Sequence, residues 1–509
     1  MSTPHADDFD PLETTVAEIH DAMAAGRVTS EALVDRYLAR IDAYDPELNA
    51  VLVADETARE RARDLDERFE TEGLTGPLHG VPVLLKDNHD TRDLPTTAGS
   101  VALADSRPPR DAFVVERLRA AGAVVLGKTN LQELSFGVDT VSSLGGATRN
   151  AYDLDRRPAG SSGGTAAAVA ANLAAVGTGS DTCSSVRSPP AFNDCVGVRP
   201  TRGLVSRTGI VPLSGTQDTA GPIARTVGDA ARVLDAMAGY DPADPVTARG
   251  VGRVPDDGYA AHLDPDGLAG ARVGVVRSLF GRRDDDGTTG TDAAAVTRVV
   301  DDALAEMADA GATVVDPVDP VDLGRLESAR VLGFEFARDF DRYLAELGDA
   351  APHDSLAAVY ATGELEPSVA ERFEGADILD VDAEALDSNP AYLRRLRRRE
   401  ELREEVLAAM ADDDLDALVY PPSRVPPVAL PDHQPFAEMN CELAAHTGLP
   451  AIVLPAGFTD DGLPVGVELL GRAFAEPRLF ELGAGFESAT AHRRPPERFG
   501  RLAECPDSA

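Results

Sequence analysis

The sequence predicts an α/β fold, one large mixed β-sheet covered by helices on both faces. Three observations carry this expectation. From about residue 78 short strand-like runs of Val, Leu and Ile alternate with helical patterns. A charged, helical stretch interrupts the alternation over residues 281–415. From Leu415 the strand patterns return, so chain from both sides of the interruption is expected in one sheet. The organisation that follows is a single domain over 1–509. It comprises N-terminal helices (8–71), a core (72–280), a variable helical section (281–415) and a return to the core sheet (416–495).

Residues 13–46 read as two helices. Thr15 with Glu18 fits a capping box at the start of the first. Thr29 or Ser30 can cap the second, where Leu33, Val34, Tyr37, Leu38 and Ile41 form an apolar stripe at helical spacing. A further charged helix is expected to about residue 71. Gly80–Leu85 (GVPVLL) reads as a short buried strand, 111–121 as a helix and Ala123–Leu126 as a strand. Residues 165–176 (TAAAVAANLAAV) read as a helix whose small side chains suit close packing. Strands and turns are expected over 195–227, a strand at Val273–Val276, and a loop over the Asp/Gly-rich 281–292. The run RRLRRREELREE (394–405) reads as a solvated helix face with offset charge pairs. Ala417–Tyr420, Ala451–Leu454 and Val465–Leu470 are the returning strands.

Composition excludes several classes of function. Asp and Glu total 87 against 48 Lys and Arg, a formal net charge of -39. The acids are scattered along the chain and aromatics are few, which favours adaptation to high salt over a docking surface for a cationic partner. Phosphate backbones would meet a strongly negative surface, so free nucleic-acid binding is not expected. No run of about 18 apolar residues marks a membrane span. The acidic first residues lack a secretory layout, so a cytoplasmic location is expected. The four cysteines are too sparse for a disulfide framework, and their spacing fits no zinc site. Lysine is nearly absent: only Lys86 and Lys128 occur, and every other cationic side chain with a permanent charge is Arg. A lysine can lose its proton when desolvated and serve as a base, whereas arginine cannot, so these two are candidates for such work.

Two stretches carry chemistry. Pro158-Ala-Gly-Ser-Ser-Gly-Gly-Thr165 is a Gly-rich loop opening a helix, but it lacks the Gly-Lys-Ser/Thr ending of a nucleotide-binding loop. Gly179-Ser-Asp-Thr-Cys-Ser-Ser-Val-Arg-Ser188 could expose a hydroxyl at a sharp turn beside successive N–H groups able to hold an oxyanion; an ordinary polar loop is the alternative. No histidine lies within these segments to act as base, and His89, near Lys86, reads as a polar loop residue.

Together these stretches resemble the amidase signature, whose usual form is GGSSGGS followed by GTDTGGSIRIPA. The segments GVPVLLKDN (80–88), GKTNLQELSFG (127–137), VGVRPTRGLVSRTGIVPL (196–213), QDTAGPIARTV (217–227) and GLPAIVLPAGFTDDGLPVGVELLGR (448–472) are similar to other family segments. The resemblance implies the amidase signature fold and a Ser–Ser–Lys triad. The lysine falls on Lys86, the bridging serine, held by a cis peptide bond, on Ser161, and the nucleophile on Ser185. It places the oxyanion donors on the backbone of Thr182, Cys183 and Ser184, with that of Ser185, and gives Gly160, Ser162, Asp181 and Arg187 supporting roles. Lys128 matches a position of structural role. Cys183 and Ser184 stand where the family has Gly-Gly, which would strain the loop if either needs positive φ; Ala159 replaces a glycine, and Asn193-Asp194 replaces Cys-Gly.

The function expected is hydrolysis of a carboxylic amide to carboxylate and ammonia or amine through an acyl-Ser185 intermediate. Lys86 would take a proton from Ser161 while Ser161 takes one from Ser185. Two alternatives stand beside it. One is the glutaminase component of the glutamyl-tRNA(Gln) amidotransferase, disfavoured because no cation for a glutamine carboxylate can be placed. The other is a catalytically inactive binding protein. No metal or cofactor is expected. The partners expected are a small-molecule amide, possible pairing as a homodimer, and further partner chains only if the amidotransferase reading holds.

Overall fold

The computed structural model describes residues 9–281, 290–375, 378–381 and 385–502. Its core is an eleven-stranded mixed sheet. In chain order the strands are β1 (Val51–Ala54), β2 (Pro82–Lys86), β3 (Val124–Thr129), β4 (Val141–Ser142), β5 (Gly146–Ala147), β6 (Val176–Asp181), β7 (Val196–Arg199), β8 (Thr219–Ala224), β9 (Arg272–Val275), β10 (Thr313–Val315), β11 (Ala417–Tyr420), β12 (Ala451–Phe458) and β13 (Pro464–Leu470). β4 and β5 form a separate hairpin. Across the large sheet the order is β1-β3-β2-β6-β8-β7-β12-β13-β11-β9-β10. β2 runs parallel to β3 and β6, and β9 parallel to β10 and β11; the other neighbours are antiparallel. The expected large mixed sheet is therefore found. Every residue of β2, β3, β6, β7, β8, β11 and β13 is buried, so both faces of the sheet are covered.

The helix starts follow their caps. The Thr15 hydroxyl accepts from Glu18 N–H while the Glu18 carboxylate accepts from Thr15 N–H, and Val16–Ala24 follows. Thr29 caps Ser30–Leu48, settling the choice between the two candidate caps. The charged third helix is Ala58–Glu72.

The helix expected over 165–176 is instead Gly163–Ala170, and Val176 already begins β6. A run of alanine and valine does not separate a buried helix from a buried strand by period alone. Small residues let this helix approach neighbouring backbone. A Cβ on Gly164 would lie 2.2 Å from the Asn130 carbonyl oxygen, and one on Gly163 would lie 2.3 Å from Thr140 Oγ1. The glycines thus serve close packing.

The middle section is helical as expected but also supplies β10, an edge strand too short to register as a period in the sequence. The loop expected over 281–292 falls mostly outside the described residues, and Gly290 opens the helix to Asp309. Helices Leu332–Leu347 and Pro367–Gly375 bring Phe336, Phe340 and Phe373 against Phe136 and Leu213 in a second apolar cluster. The ring centroids of Phe136 and Phe373 stand 5.0 Å apart, edge to face. Each buried aromatic contributes about 2 kcal/mol through removal from water, which fastens the middle section to the core beside the motifs. The Arg-rich run lies on helix Pro390–Asp412. Arg397 pairs with Glu401 at 3.0 Å, but Arg399 is buried at 5% exposure, so the run is not wholly a solvated face. Among the described residues no helix is long and apolar enough to cross a membrane.

Candidate active site

β2 and β6 are parallel neighbours, so their C-terminal ends meet at one edge of the sheet. Lys86 closes β2 there, and Ser180 and Asp181 close β6. The Lys86 side chain is fully buried. Its Nζ lies 2.6 Å from Ser161 Oγ and 2.8 Å from Ser180 Oγ, and Asn88 Nδ2 donates to Ser180 Oγ at 2.9 Å. Burial lowers the Lys86 pKa to about 7, against the opposing pull of Asp181 and Asp218. Near neutrality the amine is therefore uncharged in a large fraction of molecules. With one N–H directed at Ser180, its lone pair is free to face Ser161.

Ser161 sits in the Gly-rich loop. The Gly160–Ser161 peptide bond is cis. A Cβ on Gly160 would lie 2.8 Å from the Val138 carbonyl carbon, so only glycine fits against that segment. Ser161 O accepts from Gln132 N–H at 3.0 Å, and the Ser162 hydroxyl donates to Ser180 O at 3.3 Å, tying this loop to the end of β6. Ala159, in the place of a glycine, adopts φ 61°, a left-handed conformation costing an L-residue about 1 kcal/mol.

The second loop follows β6. Among the described residues, the backbone N–H groups of Thr182, Cys183, Ser184 and Ser185 donate to no protein acceptor, whereas Val186 N–H is taken by the Asp181 carboxylate at 3.1 Å. Asp181 is buried between Arg187 and Arg199. Burial alone would raise its pKa, but the two guanidiniums outweigh it and hold the carboxylate below the usual range. Arg187 also donates to Glu468 on β13 at 2.7 Å and to Cys441 O at 3.1 Å. Thr182 is fixed from both ends: its hydroxyl donates to Asp218, and its carbonyl accepts from Gln217 Nε2 at 2.9 Å. Neither Cys183 nor Ser184 has a positive φ, so replacement of Gly-Gly introduces no left-handed strain. The Ser184 hydroxyl is buried and has no partner among the described residues.

Ser185, 7% exposed, lines a cavity of about 700 Å³. Its hydroxyl forms no hydrogen bond with another described residue, so Lys86 and Ser161 are joined while the Ser161–Ser185 link is open in this structure. Catalytic hydrogen bonds often tighten only when substrate is bound. The cavity walls are largely apolar, with Phe136, Val138, Leu213, Leu332, Phe334 and Phe436. Three arginines also line it. Arg330 pairs with Glu442 and stacks on Phe436, Arg372 pairs with Asp139 at 3.0 Å, and the Arg395 guanidinium lies 5.0 Å from the centre of the Phe334 ring. The sequence offered no cation for a substrate carboxylate because these three sit in the middle section, where spacing gives no link to the motifs.

One sequence expectation, the absence of disulfide pairing, needs correction. Cys183 is disulfide-bonded to Cys441, with Cα atoms 4.8 Å apart and 258 residues between them in the chain. Cysteine counting examines local spacing, whereas this pair is brought together by the sheet. The bond leaves Cys183 with no free thiol. His89 lies in the loop after β2, as its sequence reading expected, and is fully buried there: it is bonded through Nδ1 to Asn88 Oδ1, and burial lowers its pKa to about 3, keeping it neutral. Lys128 pairs with Asp87 at 3.0 Å and donates to Pro95 O and Thr96 Oγ1, away from Ser161. Sequence reasoning missed Ser180, Gln217, Asp218 and Glu468. Ser180 lay in plain view inside the second motif; Glu468 had no signal beyond being a charge in an apolar strand.

Comparison with known proteins places this geometry. A family model described as Amidase matches residues 32–480. An Arabidopsis thaliana protein named "Probable amidase" is 36% identical over 505 residues, spanning 96% of this chain and 92% of the relative. A component of the glutamyl-tRNA(Gln) amidotransferase from Halorhodospira halophila is also 36% identical, over 96% of this chain and 99% of its own. The crystal structure of a native peptide amidase from Stenotrophomonas maltophilia superposes with a TM-score of 0.84 at 40% identity, covering 96% of this chain and 99% of that one.

Proposed function

The chain belongs to the amidase family, and from that membership we propose that it hydrolyses the amide of a bulky, apolar acyl group through an acyl-Ser185 intermediate. The observation that carries this reading is the position of Ser185: beside four unpaired N–H groups, on the wall of an apolar cavity of about 700 Å³. That volume accommodates an amino-acid or short peptide amide, and the Stenotrophomonas maltophilia neighbour is named a peptide amidase.

Residue types give each step. Neutral Lys86 accepts the Ser161 proton as Ser161 accepts that of Ser185, and Ser185 Oγ attacks the amide carbon. The carbonyl oxygen, now an oxyanion, is held by the N–H groups of 182–185; loss of one such donor costs about 3–4 kcal/mol in other hydrolases. The proton returns from Lys86 through Ser161 to the nitrogen as the C–N bond breaks. Water then adds to the acyl ester along the same path and frees Ser185.

A panel of amides tests this: a C-terminally amidated peptide, an aromatic amino-acid amide, acetamide and glutamine, at molar KCl. Preference for the bulky apolar amides, lost in Ser185→Ala, is expected. Preference for glutamine would support the amidotransferase component instead; the Halorhodospira halophila relative favours that reading, but the arginines of the cavity are engaged with Glu442, Asp139 and Phe334. Absence of fluorophosphonate labelling at Ser185 would point to an inactive binding protein.

A further inference from the structure

Between helix Pro390–Asp412 and residues 446–449 lies a second cavity of about 490 Å³, which shares only His446 with the lining of the Ser185 cavity. Arg202, Arg249, Arg397, Arg399 and Arg403 line it, against one carboxylate, Glu400. This inverts the balance of the chain, in which acids outnumber lysines and arginines 87 to 48.

The distribution of charge singles out three of the five. Arg403 pairs with Glu400, and Arg397 with Glu401. Arg399 directs its donors to neutral oxygens: Ala329 O at 3.0 Å, Thr216 Oγ1 at 2.7 Å and Gln217 Oε1. Arg202 donates to Gly215 O at 3.0 Å, and its Nε is buried with no acceptor. Arg249 is exposed and, among the described residues, has no hydrogen-bond or ion-pair partner. Burial lowers the Arg202 pKa to about 10, with Arg207 and Arg249 adding like-charge repulsion. Burial lowers that of Arg399 to about 10 as well. Glu335 opposes the shift at Arg202 and Arg399 from a distance, but among the described residues no carboxylate pairs with either of them or with Arg249, as Asp181 and Glu468 do with Arg187; an anion from solution would relieve the same repulsion.

We propose that this cavity binds a doubly charged oxyanion, a phosphate group or a pair of carboxylates, through Arg202, Arg249 and Arg399, and that its occupancy is felt at the oxyanion loop. The connection is short. Arg399 holds Gln217, and Gln217 holds the Thr182 carbonyl. An anion that draws Arg399 toward itself loosens that grip. The coupling rests on the function proposed above; the binding does not.

Calorimetric titration of the full chain with inorganic phosphate and, separately, succinate, at ionic strength fixed with KCl, tests the site. Saturable binding of at least one is expected, weakened tenfold or more by Arg249→Gln and by Arg202→Gln, with melting curves showing folded variants. Binding of phosphate alone identifies a phosphoryl ligand, and of succinate alone a dicarboxylate. No binding above the chloride background, or equal binding in wild type and exposed-site Arg249→Gln, overturns the proposal. Coupling predicts at least a twofold change in amide hydrolysis at saturating anion in wild type and none in Arg249→Gln; binding with an unchanged rate refutes it. Lack of hydrolysis under all conditions would strike the proposed function and leave the titration readable.

Discussion

Titration of Lys86 should govern the rate. An ordinary lysine with a pKa near 10.5 is neutral in roughly 0.03% of molecules at pH 7. Lowered to about 7 by burial, Lys86 is neutral in roughly half. The fold therefore raises the concentration of active base by about three orders of magnitude, comparable to the 10²–10⁴-fold typical of general base catalysis. The sign follows from the neutral amine being the active form: kcat/KM rises with pH and levels off above the pKa. At pH 5, two units below, about 1% of the amine is neutral, so kcat/KM falls about 100-fold from the plateau. Ammonia release from a peptide amide between pH 5 and 9, at constant molar KCl, measures this. Salt must be fixed, because the acidic surface favours the protonated amine and salt screens it, so the apparent pKa should fall as salt is added. Asp218, whose pKa burial raises to about 6, also faces this site and should broaden the lower limb. Lys86→Arg should lose at least 100-fold at the plateau and show no ionisation near 7. A profile flat from pH 5 to 8, or rising only near pH 10, would refute the reasoning.

Other outcomes follow from the same geometry. Ser185→Ala should abolish hydrolysis while changing stability by less than about 0.5 kcal/mol, because its hydroxyl bonds no described residue; melting curves and turnover read both. Asp181→Asn should destabilise the fold by about 3–5 kcal/mol in urea titrations, since two buried guanidiniums lose their shared counter-charge. Gly160→Ala should lose activity and about 1–3 kcal/mol of stability, the Cβ being forced against Val138. Denatured without reductant, the chain should show two alkylatable cysteines, Cys195 and Cys505; four would exclude the Cys183–Cys441 bond.

The strands and helices were legible because local period and capping chemistry determine them: Thr15 with Glu18, and the apolar run ending at Lys86, each needed only a few neighbouring residues. The junction of Lys86 with Ser161 was legible through the family resemblance and through the scarcity of lysine. What the sequence concealed depends on distance along the chain. Cys441 and Glu468 meet the oxyanion loop only through the sheet order, in which β12 and β13 lie between β7 and β11. The early end of the helix at Ala170 was hidden because alanine and valine serve a buried helix and a buried strand alike. Arg395, Arg397, Arg399 and Arg403, which line the two cavities, were read as part of a solvated face because the run 394–405 carries no local sign of which side chains turn inward.

Arg187 stands within the second motif, yet two of its partners, Glu468 and the Cys441 carbonyl, belong to the last seventh of the polypeptide. During synthesis the lysine, both serines and the turn that cradles the nucleophile all leave the ribosome long before those partners exist. A nascent chain halted at residue 430 holds every group proposed to react, but its Arg187 guanidinium lacks the far anchor. Competence to cut amides should thus arrive late, with the closing strands.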